Sequence, residues 1–267
     1  MRLQLFSDLH LETEAFDPQP APGAELLVLA GDIDANWTAL QRFAAWPVPV
    51  LMVAGNHEFD GRDLLHDWAP LRERCDRYGI RLIEREAPVL TSAAGLRVRF
   101  VGTVRWSDFD LFGDGGRARA MRASAYFLAL MGATRNGERL TPELLREESL
   151  TCRDWLGTEL HRANPGGQAV GGWDRTVVIT HFGPSLASAD PRFGKQPGTA
   201  SFCNADDALI PLADLWLHGH LHCRHDYRVE RPGRVATRVV CQAMGLRHKG
   251  EAEGFEPLKL IELDASA

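Results

Sequence analysis

Side chains that can bind metal ions recur along this sequence in short bursts, each directly after an apolar run. The bursts read Ser7-Asp8-Leu9-His10, Gly31-Asp32, Gly55-Asn56-His57-Glu58, Thr180-His181 and Gly219-His220-Leu221-His222. Imidazole suits zinc, iron, cobalt or manganese, whereas carboxylate and amide oxygens suit harder ions such as manganese, and no burst contains a thiolate. Two such ions about 3.5–4 Å apart need a shared ligand, which a carboxylate can provide. The bursts therefore predict a site for two divalent cations.

The runs before these bursts are typical of buried β-strands, because they are short and rich in Val, Ile and Leu. They span residues 3–6, 26–30, 48–54, 98–101, 177–180 and 215–217. Helix-like patterns lie between them at 38–46, 63–77 and 141–161. Strands that alternate with helices indicate an α/β fold. In such a sheet the residues just past the carboxyl ends of the strands meet in one crevice, so the bursts should converge.

The stretch from about 105 to 172 differs from the rest, since it is rich in helix-like and glycine-rich sequence and separates two groups of strands. We interpret it as an insertion or cap over the site, although ordinary peripheral helices would give the same pattern. The simplest domain count is one domain over residues 1–267.

Composition limits the classes of protein that fit. With 45% hydrophobic and 25% charged residues the chain can bury a sizeable core, and a net charge of -6 disfavours bulk binding to nucleic acid. Five widely spaced cysteines without a C-x-x-C pair favour neither a disulfide framework nor a thiolate zinc site. We expect a cytoplasmic protein that does not associate with membranes, since neither a signal peptide nor a membrane span is evident.

In this order the five bursts resemble the pattern of the calcineurin-like, or binuclear, metallophosphoesterases: D-x-H, G-D, G-N-H-[DE], an isolated His and G-H-x-H. The resemblance runs from residue 3 to about residue 225 and is weakest across the insertion. Any single burst could instead hold turn residues or packed histidines, but all five occur in order. The resemblance implies an αββα sandwich of two sheets flanked by helices, with the helical insertion at 105–172.

The resemblance also implies a role for each matching position. Asp8, His10 and His222 would hold one metal ion, Asn56, His181 and His220 the other, and Asp32 would bridge them. His57 would be catalytic rather than a ligand, stabilising developing charge or protonating the leaving oxygen. Manganese is the favoured metal, with iron, zinc or cobalt as alternatives.

The function that follows is hydrolysis of phosphate esters, with phosphodiesters as the favoured substrates, by a hydroxide that bridges two metal ions and attacks phosphorus in line. The substrate would be small and phosphorylated, for example nucleotide-like. Alternatives are a phosphomonoesterase or nucleotide pyrophosphohydrolase, or a non-catalytic scaffold with the same fold. The segment Gly31-Asp32-Ile33-Asp34-Ala35-Asn36-Trp37 lacks the G-D-x-x-D-R-G of protein serine/threonine phosphatases. Asp34 could be a partner of a metal ligand or a helix cap.

Several residues near the bursts could contact substrate. Cationic candidates for a phosphate are Arg105, Arg192, Lys195 and Arg247. Trp106 and Phe193 could stack on a base, although packing is an equal alternative. His218 lies two residues before His220 and is a conceivable extra ligand, while His66, His161, His225 and His248 are expected to be surface residues or local hydrogen-bonders.

Overall fold

The structure is a computed structural model that describes residues 1–166 and 171–263. Its helices are α1 (Trp68–Arg77), α2 (Asp114–Met131) and α3 (Pro142–Leu160). Its strands are β1 (Arg2–Phe6), β2 (Leu26–Ala30), β3 (Val50–Val53), β4 (Ile80–Leu82), β5 (Val89–Thr91), β6 (Arg97–Gly102), β7 (Thr134–Arg135), β8 (Glu138–Arg139), β9 (Arg175–Ile179), β10 (Leu215–His218), β11 (Arg224–Arg231), β12 (Arg234–Gln242) and β13 (Leu260–Glu262). Within the described ranges no helix combines the length and apolar composition of a membrane span.

Two large sheets form the body of the structure. The first has the order β13-β1-β2-β3-β4, and the second has the order β11-β12-β10-β9-β6-β5. Strands β1 to β4 run parallel, as do β6, β9, β10 and β12, while β5, β11 and β13 are antiparallel edge strands. The burst-bearing strands β1, β2, β3, β9 and β10 are thus parallel within their own sheets.

A hydrophobic core lies between the two sheets. It combines side chains of the first sheet, such as Leu29 and Met52, with side chains of the second, such as Ile179 and Leu217. Helix α3 packs on the opposite face of the second sheet, where Leu156 contributes to a smaller apolar cluster. The expected α/β sandwich of two sheets flanked by helices is confirmed.

The three predicted helices agree with the structure to different extents. Helix α3 matches the prediction for 141–161: the hydroxyl of Thr141 accepts a hydrogen bond from the Leu144 N–H, and Pro142 occupies the first turn. The prediction for 63–77 is right only from Trp68 onward. The preceding residues form a turn, because the Asp63 carboxylate accepts the backbone N–H groups of Leu65 and of residues 66 and 137.

The helix predicted at 38–46 is wrong, since the chain forms only a short 3-10 helix over Ala39–Phe43. The Asp34 carboxylate accepts hydrogen bonds from Asn36, Thr38 and Ala39, which holds the segment in a tight turn. Pro47 follows at once and disfavours a helical residue before it. Asp34 therefore organises this turn and makes no contact with a predicted ligand among the described hydrogen bonds.

The predicted insertion at 105–172 contains α2, the β7–β8 hairpin and α3, and it enters between β6 and β9. Residues 167–170 of this interval lie outside the described residues. Arg105 anchors its beginning: the fully buried guanidinium donates to Asp206 at 2.8 and 2.9 Å and to Asp108 at 2.7 Å. A division of the chain into one domain stays a prediction.

Candidate metal centre

The five bursts meet at the carboxyl ends of β1, β2, β3, β9 and β10, where the two sheets adjoin. Three groups of side chains there have candidate ligand atoms within 4.8 Å of one another. They are Asp8 with His10 and His222, Asp32 with His181 and His220, and His10 with Asp32 and His57. Asn56 joins the second group, because its Oδ1 lies 3.2 Å from Nε2 of His181. The structure thus brings together all eight residues singled out in the bursts.

Tight backbone turns aim these side chains into one space. Asp8, His10, Asp32, His220 and His222 all have positive φ angles, between 46° and 73°. This left-handed conformation costs a non-glycine residue about 1 kcal/mol or more and persists only where the surroundings enforce it. Five of the eleven described non-glycine residues with positive φ thus lie in the bursts, and such strain is common at functional sites.

Two glycines make the close approach of the loops possible. Gly31 has φ +88°, and a Cβ atom there would collide with the ring of His181. A Cβ atom at Gly55 would collide with the carboxylate of Asp32. These two glycines thus allow the backbone to approach the candidate ligands closely.

Carboxylates fix the tautomers of the first pair of imidazoles. Nδ1 of His10 donates to Glu12 at 3.0 Å, and Nδ1 of His222 donates to Glu251 at 2.6 Å. Each ring then carries its lone pair on Nε2, and these two Nε2 atoms face each other at 3.0 Å. Two lone pairs at this distance repel unless a cation lies between or beside them.

Backbone carbonyls orient the other two imidazoles in the same way. Nδ1 of His181 lies 2.8 Å from the carbonyl of Ala30, and Nε2 of His220 lies 3.3 Å from the carbonyl of Ser201. Nε2 of His181 therefore faces acceptor oxygens, with Oδ2 of Asp32 at 3.1 Å; burial would lower the pKa of His181, but the charge on Asp32 raises it to about 9. A metal-binding imidazole usually donates its other N–H to such an acceptor. The donor set of nitrogens and oxygens fits two borderline divalent ions.

Asp32 lies at the centre of the cluster and is 1% exposed. Its Oδ1 accepts the backbone N–H of His57 at 2.8 Å, while Oδ2 faces His181. Burial alone would raise the pKa of Asp32, but the imidazoles of His181 and His57 hold that pKa well below its usual range. The carboxylate is ionised, and it lies within 4.8 Å of ligand atoms of His10 and His57 and of ligand atoms of His181 and His220.

Glu58 explains the acidic residue at the end of the G-N-H-[DE] burst. Its buried carboxylate accepts backbone N–H groups from Gly55 at 2.6 Å, Ile33 at 2.7 Å and Asp32 at 2.9 Å. Burial and the charge on Asp32 raise the pKa of Glu58, and the N–H groups of Gly55 and Ile33 oppose that rise. Glu58 holds the β2 and β3 loops together and contacts no substrate space.

His57 differs from the four imidazoles above because its side chain is 39% exposed. Its Nδ1 donates to Asp60 at 2.7 Å, which leaves Nε2 free to act on a substrate. Burial would lower the pKa of His57, but Asp32 and Asp60 raise it to about 10. The ring thus lies at the edge of the cluster in a position to hold a proton.

Sequence reasoning missed the carboxylates that orient these rings. Glu12 and Asp60 lie two and three residues after His10 and His57, so local spacing could have suggested them. Glu251 lies 29 residues after His222 and has no such signal. His218, the conceivable extra ligand, turns away from this cluster and toward His225, with 2.8 Å between the two Nε2 atoms.

A cavity of about 200 Å³ opens beside the cluster and reaches Asn56, His57 and His220. We call the eight burst residues the floor of this cleft and its apolar lining the wall. The wall consists of Trp106, Phe109, Phe127, Leu128, Leu130, Met131, Leu145, Phe182 and Phe202. Aromatic rings connect the wall to the floor. The ring centroid of Phe202 lies 5.8 Å from that of Phe127 and 5.0 Å from that of His220. The described residues that line the cavity include no lysine or arginine.

None of the suggested cationic contacts lines this cavity, although Arg192 lies beside the floor, with its Nη2 3.5 Å from the carbonyl oxygen of His222. The Arg105 guanidinium is buried in its ion pairs, and Arg192 pairs with Asp190 at 2.6 Å. Lys195 is exposed, and Arg247 lies 3.7 Å from Glu14. Of the two suggested aromatic contacts, Trp106 lines the cavity and Phe193 does not.

Comparisons with known proteins agree with this geometry. The profile of the calcineurin-like phosphoesterase family matches residues 1–224. No curated protein matches the chain significantly. The crystal structure of phosphopantetheinyl hydrolase from Mycobacterium tuberculosis is similar with a TM-score of 0.68 and 18% identity, over 98% of this chain and 96% of that one.

Two further structures are more distant. A 5'-nucleotidase precursor from Thermus thermophilus has a TM-score of 0.47 and 14% identity, over 99% of this chain and 52% of that one. The calcineurin-like phosphoesterase YfkN from Bacillus subtilis has a TM-score of 0.43 and 13% identity, over 90% and 80% of the two chains. With the family profile spanning the five bursts and the sandwich fold that carries them, the chain belongs to the calcineurin-like phosphoesterase family.

Proposed function

We propose that the protein is a metal-dependent phosphodiesterase whose substrates carry an apolar or aromatic group next to the phosphate. The observation that carries this proposal is the junction of floor and wall: a cluster of metal-binding side chains opens directly into an apolar cleft. The family accounts for phosphoester hydrolysis, and the cleft supports the choice of substrate class.

Two divalent cations, with manganese favoured, would be held by the floor. Asp8, His10 and His222 form one ligand group, Asn56, His181 and His220 form the other, and Asp32 belongs to both. When bound, the cations supply Lewis acidity toward the phosphoryl oxygens and activate water. Carboxylates and backbone carbonyls hold one ring nitrogen of each of the four imidazoles, which leaves the other nitrogen to face the metal ions, and the charges of His181 and His57 keep Asp32 ionised.

His57 is the proposed catalytic residue that is not a ligand. Asp60 fixes its ring through Nδ1, and its exposed edge borders the cleft where a leaving group would depart. A proton on Nε2 can be donated to the leaving oxygen, which then departs as a neutral alcohol or phenol. Asp60 is a positioning residue, since it acts through His57.

The charge of the cleft favours a diester over a monoester or a pyrophosphate. A diester carries one negative charge, which the metal ions can balance, whereas the other two classes carry additional charge. The described lining residues offer no cation for that additional charge. Phe127 and Phe202 offer instead a surface for an aromatic ring, such as a nucleoside base.

The test compares hydrolysis of bis-p-nitrophenyl phosphate and p-nitrophenyl phosphate by protein stripped of metal and reconstituted with Mn²⁺. We expect the diester to be cleaved with the higher kcat/KM. Faster cleavage of the monoester would contradict the proposed class and would favour a phosphatase. Absence of both activities across Mn²⁺, Fe²⁺, Zn²⁺ and Co²⁺ would favour a scaffold.

A second panel refines the substrate. It compares kcat/KM for a cyclic nucleotide, a dinucleotide and a phosphopantetheinyl diester. The last is included because the similar structure from Mycobacterium tuberculosis is a phosphopantetheinyl hydrolase. We expect a preference among these to depend on the wall, so that Phe127→Ala lowers kcat/KM most for substrates with an aromatic group. A cytoplasmic location stays part of the proposal.

A further inference from the structure

A second cluster of metal-binding side chains lies on three adjacent strands at one end of the second sheet, outside the floor. His218 ends β10, Cys241 lies near the end of β12, and His225 lies near the start of β11. Cys241 pairs in register with His218 on one side and with His225 on the other. Residues paired in register on neighbouring strands project from the same face of a sheet. The three side chains therefore form one row across β10, β12 and β11.

This row projects from the face of the sheet that carries α3. Trp216 precedes His218 by two residues and packs with Leu156 of α3 in the smaller apolar cluster. Leu217 and Val240, which alternate with the row, point into the core between the sheets. The row is thus separate from the cleft, although it borders the loop that carries His220 and His222.

The donor atoms of the row converge. Nε2 of His218 lies 2.8 Å from Nε2 of His225, and both lie within 4.8 Å of the Cys241 sulfur. Nδ1 of His218 donates to the carbonyl of Gly219 at 3.0 Å, so Nε2 carries its lone pair toward His225 and Cys241. The His10 and His222 pair in the floor has the same arrangement, with 3.0 Å between Nε2 atoms whose rings are held through Nδ1.

We propose that His218, His225 and Cys241 form a third metal site, which binds Zn²⁺ through two imidazole nitrogens and one thiolate. Zinc accepts this mixed set of borderline and soft donors in tetrahedral geometry, with a fourth position left for water. The Ser188 hydroxyl, 3.1 Å from Nε2 of His218, can accept a hydrogen bond from that water. On binding, the Cys241 thiol loses its proton to the buffer and the two imidazoles bind as neutral ligands.

A metal ion at this site would cross-link three strands at the edge of the sheet. β11 is an edge strand, and the β11–β12 hairpin joins the rest of the sheet only through β10. An ion held by three neighbouring strands ties this hairpin to the residue that begins the loop of His220 and His222. The inference is independent of the substrate proposed for the cleft, because it concerns a different set of ligands.

Cobalt(II) provides the sharpest test, because a thiolate ligand gives Co²⁺ a near-ultraviolet charge-transfer band. The floor contains only nitrogen and oxygen donors, so this band reports the third site alone. Full-length protein is stripped with a chelator and titrated anaerobically with Co²⁺ while absorbance and bound metal per chain are measured. We expect three ions per chain and a thiolate band.

Three variants separate the proposal from its alternatives. Cys241→Ser should abolish the band and leave two ions per chain, and His225→Ala, at a half-buried edge position, should weaken Co²⁺ binding at this site at least about ten-fold. Cys75→Ser, a buried cysteine on α1, is the matched control and should keep the band. Absence of the band in the parent protein would overturn the site and leave a hydrogen bond between the two imidazoles. A band that survives Cys241→Ser would equally overturn it.

Discussion

The floor and the wall of the cleft are built from different kinds of backbone structure. The floor comes from loops at the ends of five strands, where the backbone is strained and each polar side chain has a fixed partner. Of the nine wall residues, Phe127, Leu128, Leu130 and Met131 lie on α2 and Leu145 lies on α3, while the other four, including Phe202, lie in connecting segments. We propose that the floor determines which bond is broken and that the wall determines which molecule presents that bond. Changes in the floor should affect kcat and metal content, whereas changes in the wall should affect KM.

The largest effect is expected from Asp32→Asn. The substitution keeps the shape of the side chain but removes the negative charge that lies between His10 and His181 and that we propose bridges the two metal ions. Metal ions contribute several kcal/mol of transition-state stabilisation, so we expect kcat/KM to fall by at least about a thousand-fold, with fewer than two ions bound per chain. Metal analysis and diester kinetics on the same sample measure both quantities. Full activity in this variant would exclude Asp32 as the bridge.

His57→Ala separates catalysis from metal binding within the floor. We expect two bound ions and a fall in kcat of roughly a hundred- to ten-thousand-fold, because a proton donor is lost while every proposed ligand remains. Asp60→Asn should give a smaller fall, since the ring stays but its orientation is less well fixed. Unchanged kcat in His57→Ala would refute the assigned role.

Glu251→Gln tests the partner that orients His222. The amide oxygen can still accept the hydrogen bond from Nδ1 of His222, but the negative charge that strengthens that bond is lost, and we expect affinity for Mn²⁺ to fall about ten- to a hundred-fold. Glu253→Gln is a matched control, because Glu253 is exposed and its side chain contacts no predicted ligand in the described hydrogen bonds. Equal Mn²⁺ affinity in the two variants would show that the Glu251 contact is dispensable.

The smallest effect is expected from the wall. Phe127→Ala removes a ring that packs beside Phe202, and we expect KM for an aromatic diester to rise roughly three- to ten-fold while kcat and metal content stay the same. Tyr126→Ala is the control, because Tyr126 is the neighbouring exposed aromatic and does not line the cavity. A change in metal content in Phe127→Ala would break the proposed separation of wall from floor.

Most of the floor could be predicted because its signal is local. Each ligand candidate directly follows an apolar strand, and parallel strands bring their carboxyl ends to one edge of a sheet. Asp8, Asp32 and His181 could be placed together in this way although they lie far apart in the sequence. Their partners were harder to predict, since Glu251 lies in an irregular segment without periodicity.

The wall and the third site depend on contacts that the sequence does not encode locally. Phe127 is one apolar residue of an amphipathic helix, and only packing shows that it borders the cleft. The row of His218, His225 and Cys241 requires the pairing of the edge strand β11 with its neighbour β12, and neither strand was predicted. The turn at Pro232 and Gly233 between them was the available signal.

The central claim is that the floor holds two metal ions and that hydrolysis depends on both. The most direct test titrates metal-free protein with Mn²⁺ and follows bound ions per chain together with the rate of bis-p-nitrophenyl phosphate hydrolysis. Mn²⁺ disfavours thiolate ligands, so the third site should not contribute. We predict a rate that reaches its plateau at two bound Mn²⁺ per chain. Full hydrolysis by the metal-free protein, or a plateau at one bound ion, would contradict the account.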